Sequence, residues 1–331
     1  MENNKLLKDK KSYKITVLVI ITCFLFIGFI YGNVKGTLNV SVERIFDVIF
    51  NDDKSPERMV IWNIRLPRMI LAGLVGVNLA LAGAILQGVM NNPLADPSII
   101  GISSGAGLFA IFILVVLPQY QALVPLAAFM GAMGAAVIIY GLAWKGGIQP
   151  MRIILAGVAV SALFGAGISA TLVFFSDRVH GALTFMNGSL SARSWPEVRT
   201  ILPYTAAGII LVNIFSEKLN ILVLGDDVAR GLGLNVELTR LGFTALAALL
   251  AASAVSVVGL LGFVGLIVPH SIRLLIGNDY KYMFPGSALL GATLVIFSDT
   301  FARTVLSPTE IPVGIVMAVI GAPFFLYLLR K

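Results

Sequence analysis

LPRMILAGLVGVNLALAGAILQGVMNNPLADP, residues 66–97, carries one arginine, one aspartate and no other charge. From Leu66 to Met90 the stretch is continuously apolar rather than alternating. A helix needs about 20 such residues to cross the hydrocarbon core of a bilayer, whereas a transmembrane strand needs only about 10. Hydrocarbon has no water for backbone amides and carbonyls, so a spanning segment is a helix or part of a closed barrel. Length and pattern select the helix. Asn92-Pro93-Leu94-Ala95-Asp96-Pro97 then closes the segment, because two prolines forbid a continuing helix and force a tight turn.

The rest of the chain repeats this pattern. Of 331 residues, 58% are hydrophobic and 12% charged, and the mean hydropathy is +0.93. A soluble domain carries about a quarter charged residues. Ten segments fit spanning helices, at 15–31, 66–90, 98–117, 122–143, 152–175, 200–216, 239–258, 263–277, 284–303 and 312–329. The expected fold is therefore an all-α integral membrane protein of about ten transmembrane helices. A basic N-terminus (1–14) precedes one membrane domain (15–331). No cleavable leader is expected, since the run Ile15 to Tyr31 is long enough to span and no small-residue cleavage site follows.

An even number of spans puts both termini on one side. Lysines 5, 8, 10, 11 and 14, with Arg330 and Lys331, point to the cytoplasm. The net charge of +7 is explained by loops flanking a membrane and calls for no nucleic acid. Arg65, Arg68, Arg178, Arg193, Arg199 and Arg303 all fall near the opposite, outer face.

Small residues crowd the spans, as in GISSGAG (101–107), and let helix backbones approach closely. GISSGAG lacks the Lys-Ser/Thr ending of a phosphate-binding loop. His180 and His270 have no Cys or carboxylate at metal-ligand spacing, so no metal site is expected. No nucleophile lies beside a base. Few carboxylates occur inside the spans, as an ion-coupled carrier would require; Asp299 is the main exception. Neither an enzyme nor a self-powered carrier fits well. Cys23, the single cysteine, reads as a small hydrophobe.

One polar island interrupts this chain: VLGDDVARGLGLNVELTR, residues 223–240. Asp226 or Asp227 suits the cap of a short helix reaching Arg230, with Gly231 and Gly233 ending it. Asn235 suits the cap of the next helix, with Glu237 in its first turn. Two short helices at a glycine corner make a knuckle too short to span a membrane.

Four phrases, in order, carry a family resemblance: IRLPRMILAGLVGVNLALAGAILQGVMNNPLADPSIIGISSGAG (64–107), FMNGSLSARSW (185–195), the island, and residues 259–329, which open GLLGFVGLIVPHSIR. Together they resemble the iron-siderophore/cobalamin (FecCD) permeases of ABC importers. The resemblance implies a permease that moves an iron-siderophore complex across the cytoplasmic membrane by alternating access. Its partners would be a second permease subunit, identical or paralogous, two ATP-binding-cassette ATPases and an outer substrate-binding protein. No resident cofactor is implied, and ATP hydrolysis would belong to the partner. A cobalamin or haem importer is the alternative within the family; an ion-coupled carrier is the alternative outside it.

Residue roles follow from the same likeness. Arg65, Arg68 and Arg303 would face the acidic lobes of the binding protein, Pro67 holding a turn between the first two; snorkelling to headgroups is the other reading. Within the coupling loop, about 217–240, Asp226, Asp227, Arg230, Gly231, Leu232 and Gly233 would meet the ATPase. Residues 92–97 are either a plain turn or part of that coupling floor. Pro269 would break a helix, with His270 or Arg273 bonding the freed carbonyls. Asp299 and Arg303, four apart, could pair.

Overall fold

The computed structural model describes residues 10–35, 41–50, 55–98, 101–144 and 150–329. Lys5, Lys8, Arg330 and Lys331, part of the terminal charge pattern, lie outside them. Every regular element among the described residues is helical. The helices are α1 (Lys11–Val34), α2 (Val42–Phe50), α3 (Pro56–Val89), α4 (Ile102–Val116), α5 (Val124–Ala143), α6 (Pro150–Phe174) and α7 (Val179–Met186), followed by α8 (Trp195–Leu222), α9 (Asp226–Gly231), α10 (Val236–Val258), α11 (Val264–Ile276), α12 (Tyr280–Thr304) and α13 (Val313–Leu329).

Each of the ten expected segments falls on one of these helices. Seven are long and apolar enough to cross a membrane, while α4, α11 and α13 have 15, 13 and 17 residues. Helix α8 begins at Trp195 and not near 200. A capping box sets that start: the Glu197 carboxylate accepts from the Ser194 backbone N–H at 2.9 Å. Sequence periodicity missed α2 altogether. Its Glu43, Arg44 and Asp47 rule out a span, yet Ile45 and Val48 pack beneath Val34, Ile61 and Trp62. The helix is amphipathic and lies against the bundle.

Central to the bundle is α3, which packs against α8, α10, α11 and α12. A chain continuous from Pro56 replaces the turn expected at Pro67. Residues Ile61–Arg65 form a π-turn inside it, and Pro67 sits just after, in the first turn of the resumed α-helix. Backbone contact explains the glycines here. A Cβ on Gly83 would lie 2.0 Å from the Gly265 carbonyl oxygen of α11, and one on Gly105 would lie 2.3 Å from that of Gly131 in α5. The second contact shows what GISSGAG does in the fold: it lets α4 pack on α5. Gly83→Ala therefore forces α3 and α11 apart, and it is expected to cost about 1–3 kcal/mol, measurable by unfolding in mixed micelles.

Pro269 does not break its helix, because α11 runs through it from Val264 to Ile276. Proline has no N–H for the carbonyl four residues back, which is that of Gly265. Gln87 fills the gap, donating from Nε2 to Gly265 O at 3.1 Å. His270 instead sets its ring edge-on to Phe324, with centroids 5.9 Å apart.

The irregular entry to α11 is also satisfied internally. Leu260 N–H donates to Phe185 O at 2.9 Å, Ser189 N–H to Val258 O at 2.8 Å, and Gly314 N–H to Gly188 O at 3.2 Å. Non-helical backbone at membrane depth is tolerated where protein supplies its partners. The turn after α7, the entry to α11 and the first turn of α13 thus meet inside the bundle.

Candidate functional site

The helices place the chemistry at two opposite ends. At one end lie the start of α1, the end of α8 and the start of α12. Lys14 Nζ sits 4.9 Å from the Tyr282 ring centroid, and Asn220 bonds both Asp279 Oδ1 and the Tyr280 N–H at 2.9 Å. The knuckle extends from this end.

Gly225, at φ 104°, occupies the cap position of α9 that was expected for an aspartate. Asp226 and Asp227 follow in the first turn, where the helix dipole favours negative charge. Asp226 is turned to another task. Its carboxylate takes both terminal nitrogens of Arg240, at 2.8 and 3.2 Å, tying α9 to the root of α10. Arg230 donates to Glu237 at 2.7 Å and lies 3.9 Å from Asp227. Asn235 caps α10 as expected, accepting from the Leu238 N–H at 3.0 Å. Gly233, at φ 81°, turns the corner between the helices.

These ties shape the knuckle and leave an apolar face bare. Leu224, Val228, Leu232 and Leu238 are each more than half exposed, while Ala229 is fully buried beneath them. Gly231 ends α9 and Leu232 stands at its C-cap. Exposed leucines on a braced polar projection suit contact with another protein. Across the turn at this end, Asp96 is buried and accepts from both the N–H and the hydroxyl of Ser98. Burial pushes its carboxyl above the usual carboxylate range, against the two bonds from Ser98.

At the opposite end the three expected arginines do come together, beneath the surface and bonded inward. Arg65, Arg68 and Arg303 are only 4%, 7% and 8% exposed. Helix α1 ends at Val34 with carbonyls that lack helical partners. Arg65 Nη1 donates to Asn33 O at 2.8 Å and Val34 O at 3.3 Å, and Arg303 donates to Gly32 O. Two cations thus close the negative end of α1.

Arg68 is a clamp. Its Nε and Nη2 each reach Asp299 at 2.9 Å, and its Nη1 reaches Glu310 at 2.9 and 3.1 Å. One guanidinium joins α3, α12 and the turn leading to α13. Asp299 therefore takes Arg68, not its helical neighbour Arg303, as its ion-pair partner. Beside them Trp195 Nε1 donates to Trp62 O at 2.8 Å, the two indoles 5.4 Å apart. Arg178 and Arg199 are exposed at the same end. Among the described residues no group of three or more His, Cys, Asp or Glu is placed to hold a metal ion.

Comparison with known proteins agrees with this architecture. The FecCD transport family model matches residues 21–331. The chain is 41% identical to the Fe(3+)-citrate import system permease protein YfmE of Bacillus subtilis over 97% of its length and 96% of the relative's. It is 40% identical to the hemin transport system permease protein HmuU of Yersinia pestis, covering 89% and 90% of the two chains. A solved inward-facing metal-chelate-type ABC transporter superposes with a TM-score of 0.85 at 28% identity, covering 96% of this chain and 99% of that one. With the family model matching residues 21–331 and the relatives aligned over nearly its whole length, the chain belongs to the FecCD transport family.

Proposed function

We propose that this protein is the permease subunit of an ABC importer that carries an iron-siderophore or related ferric chelate across the cytoplasmic membrane. The observation that carries the reading is the likeness, along almost the entire chain, to a permease named for Fe(3+)-citrate import. The knuckle is the surface on which a partner ATPase acts. Its contact set is Asp226, Asp227, Arg230, Gly231, Leu232 and Gly233, of which Leu232 offers the most apolar exposure. That assignment makes the knuckle end cytoplasmic, together with both termini.

The opposite end receives the substrate-binding protein. Arg65, Arg68 and Arg303 serve this docking by fixing the rim, and the exposed Arg178 and Arg199 offer charge that steers an acidic partner. A second permease subunit completes the pathway, since a siderophore-sized chelate is too wide for one packed bundle.

The test is radioactive iron uptake in a strain lacking this gene, complemented with the wild-type chain. Ferric citrate, a hydroxamate, a catecholate, haem and labelled cobalamin form the panel. The expected result is uptake of a ferric chelate that stops on ATP depletion and survives an ionophore. The hemin-permease relative supports haem as the second reading, and uptake of haem alone would select it. Uptake abolished by the ionophore with ATP intact would overturn the ABC assignment.

A further inference from the structure

Between the α4–α5 turn, α7 and the start of α8, at the arginine-bearing end, lies a cavity of about 270 Å³. Gln121, Thr184, Arg193, Glu197 and Ser256 line it together with Phe185 and other apolar side chains. Gln121 and Thr184 are exposed at its mouth, whereas Arg193 is partly buried. Lipid tails do not fill a polar recess, and nothing seen so far uses this one.

Arg193 is the unusual member. Its Nε is buried with no hydrogen-bond partner, and the guanidinium forms no ion pair within 4 Å among the described residues. Glu197 shares the cavity but is occupied elsewhere: its Oε2 accepts from the Ser194 N–H at 2.9 Å and from the Ser194 hydroxyl at 3.4 Å, capping α8. Burial lowers the Arg193 guanidinium from its ordinary value, with the Glu197 charge acting in the opposite sense. Contrast Arg65, Arg68 and Arg303 at the same end, each bonded to carbonyls or carboxylates of the fold. A partly buried cation whose Nε has no partner and whose guanidinium has no bonded anion marks a candidate ligand site.

The ligand chemistry follows from the donors. A guanidinium recognises a carboxylate through paired N–H groups. The Thr184 hydroxyl and the Gln121 amide add two further donors, neither held by a side chain or carbonyl among the described residues. Glu197 limits the positive charge at Arg193, so the site takes one singly charged carboxylate group, with any further carboxylates of the ligand outside it, and disfavours the doubly charged centre of a phosphate or sulfate. The apolar wall accommodates the carbon skeleton behind it.

We propose that this cavity is a subsite for a carboxylate group of the cargo, anchored by Arg193 and completed by Thr184 and Gln121. The inference rests on the chelate-importer reading and adds a substrate class to it: chelates that present a free carboxylate. The site lies on the outer half of the permease, so it engages the cargo on entry.

The experiment is equilibrium binding of radiolabelled citrate to the assembled permease–ATPase complex in nanodiscs, without the binding protein. Wild type is expected to bind citrate saturably. Arg193→Gln and, separately, Thr184→Phe, which fills the mouth while leaving Arg193 in place, are each expected to weaken binding about 10-fold or more. Sulfate is expected to compete poorly. The proposal is overturned if wild type shows no saturable citrate binding, if both variants bind as wild type does, or if sulfate displaces citrate at equal concentration. Should Arg193→Gln fail to yield an intact complex, Thr184→Phe alone decides. Citrate binding with no ATP-driven uptake of any iron chelate would retain the subsite and sink the importer reading. The reverse pattern would sink the subsite alone.

Discussion

Arg68→Ala is expected to lower folding stability by about 3–5 kcal/mol, the usual cost of stripping one partner from a buried ion pair. All three guanidinium nitrogens are spent inside the fold, two on Asp299 and one on Glu310. Asp299 is 1% exposed, so losing the arginine strands a carboxylate where water cannot reach it. Asp299→Ala should cost a similar amount for the converse reason. The double variant should lose less than the sum, because neither charge is then left unpaired. Unfolding of the wild type, both single variants and the double variant in mixed micelles gives the coupling directly. Wild-type stability of Arg68→Ala, combined with lost uptake, would instead show that Arg68 acts on a partner.

Leu232→Asp should have the opposite profile. Iron uptake is expected to fall at least about 10-fold, which corresponds to about 1.4 kcal/mol at the contact. Stability should move by less than about 0.5 kcal/mol, since an exposed side chain is being changed. Leu232 is 61% exposed, and the ties that shape the knuckle run through Asp226, Arg240, Arg230 and Glu237. Charge at position 232 therefore spoils an apolar contact and leaves the scaffold intact. Pull-down of the ATPase by a tagged permease locates the defect: retention should drop with uptake. Unchanged uptake would remove Leu232 from the contact.

The spanning helices were legible because hydrophobic length is a local property, and α1, α3 and α12 could be read from composition alone. Asn235 and Glu237 were legible for the same reason, since capping depends on residues within one turn. The arginine end was not. Arg68 and Asp299 are separated by 231 positions, and no local rule reveals that pairing. The spacing of Asp299 and Arg303 pointed to a helical pair that the fold replaces with a tertiary one. Pro269 misled in the same way, because the carbonyl it frees is bonded by Gln87, on a helix far away in sequence. Arg193 was visible as an outer-face cation, but its lack of a bonded partner emerges only when α4, α7, α8 and α10 close around it. Amphipathic α2 escaped because a short helix with one apolar face leaves no long apolar run.

The central claim is that a partner ATPase drives this chain through its knuckle. Cys23 is the only cysteine in the sequence, so Cys23→Ser provides a thiol-free background in which Leu232→Cys is the single reactive site. Paired with single cysteines placed along the permease-facing surface of the ATPase, this variant should form a disulfide-linked species of the combined mass in intact membranes. Its yield should change when ATP is added. An intact, transport-competent complex that gives no cross-link from positions 227, 228 or 232, or a cross-link from them to the substrate-binding protein, would contradict the account.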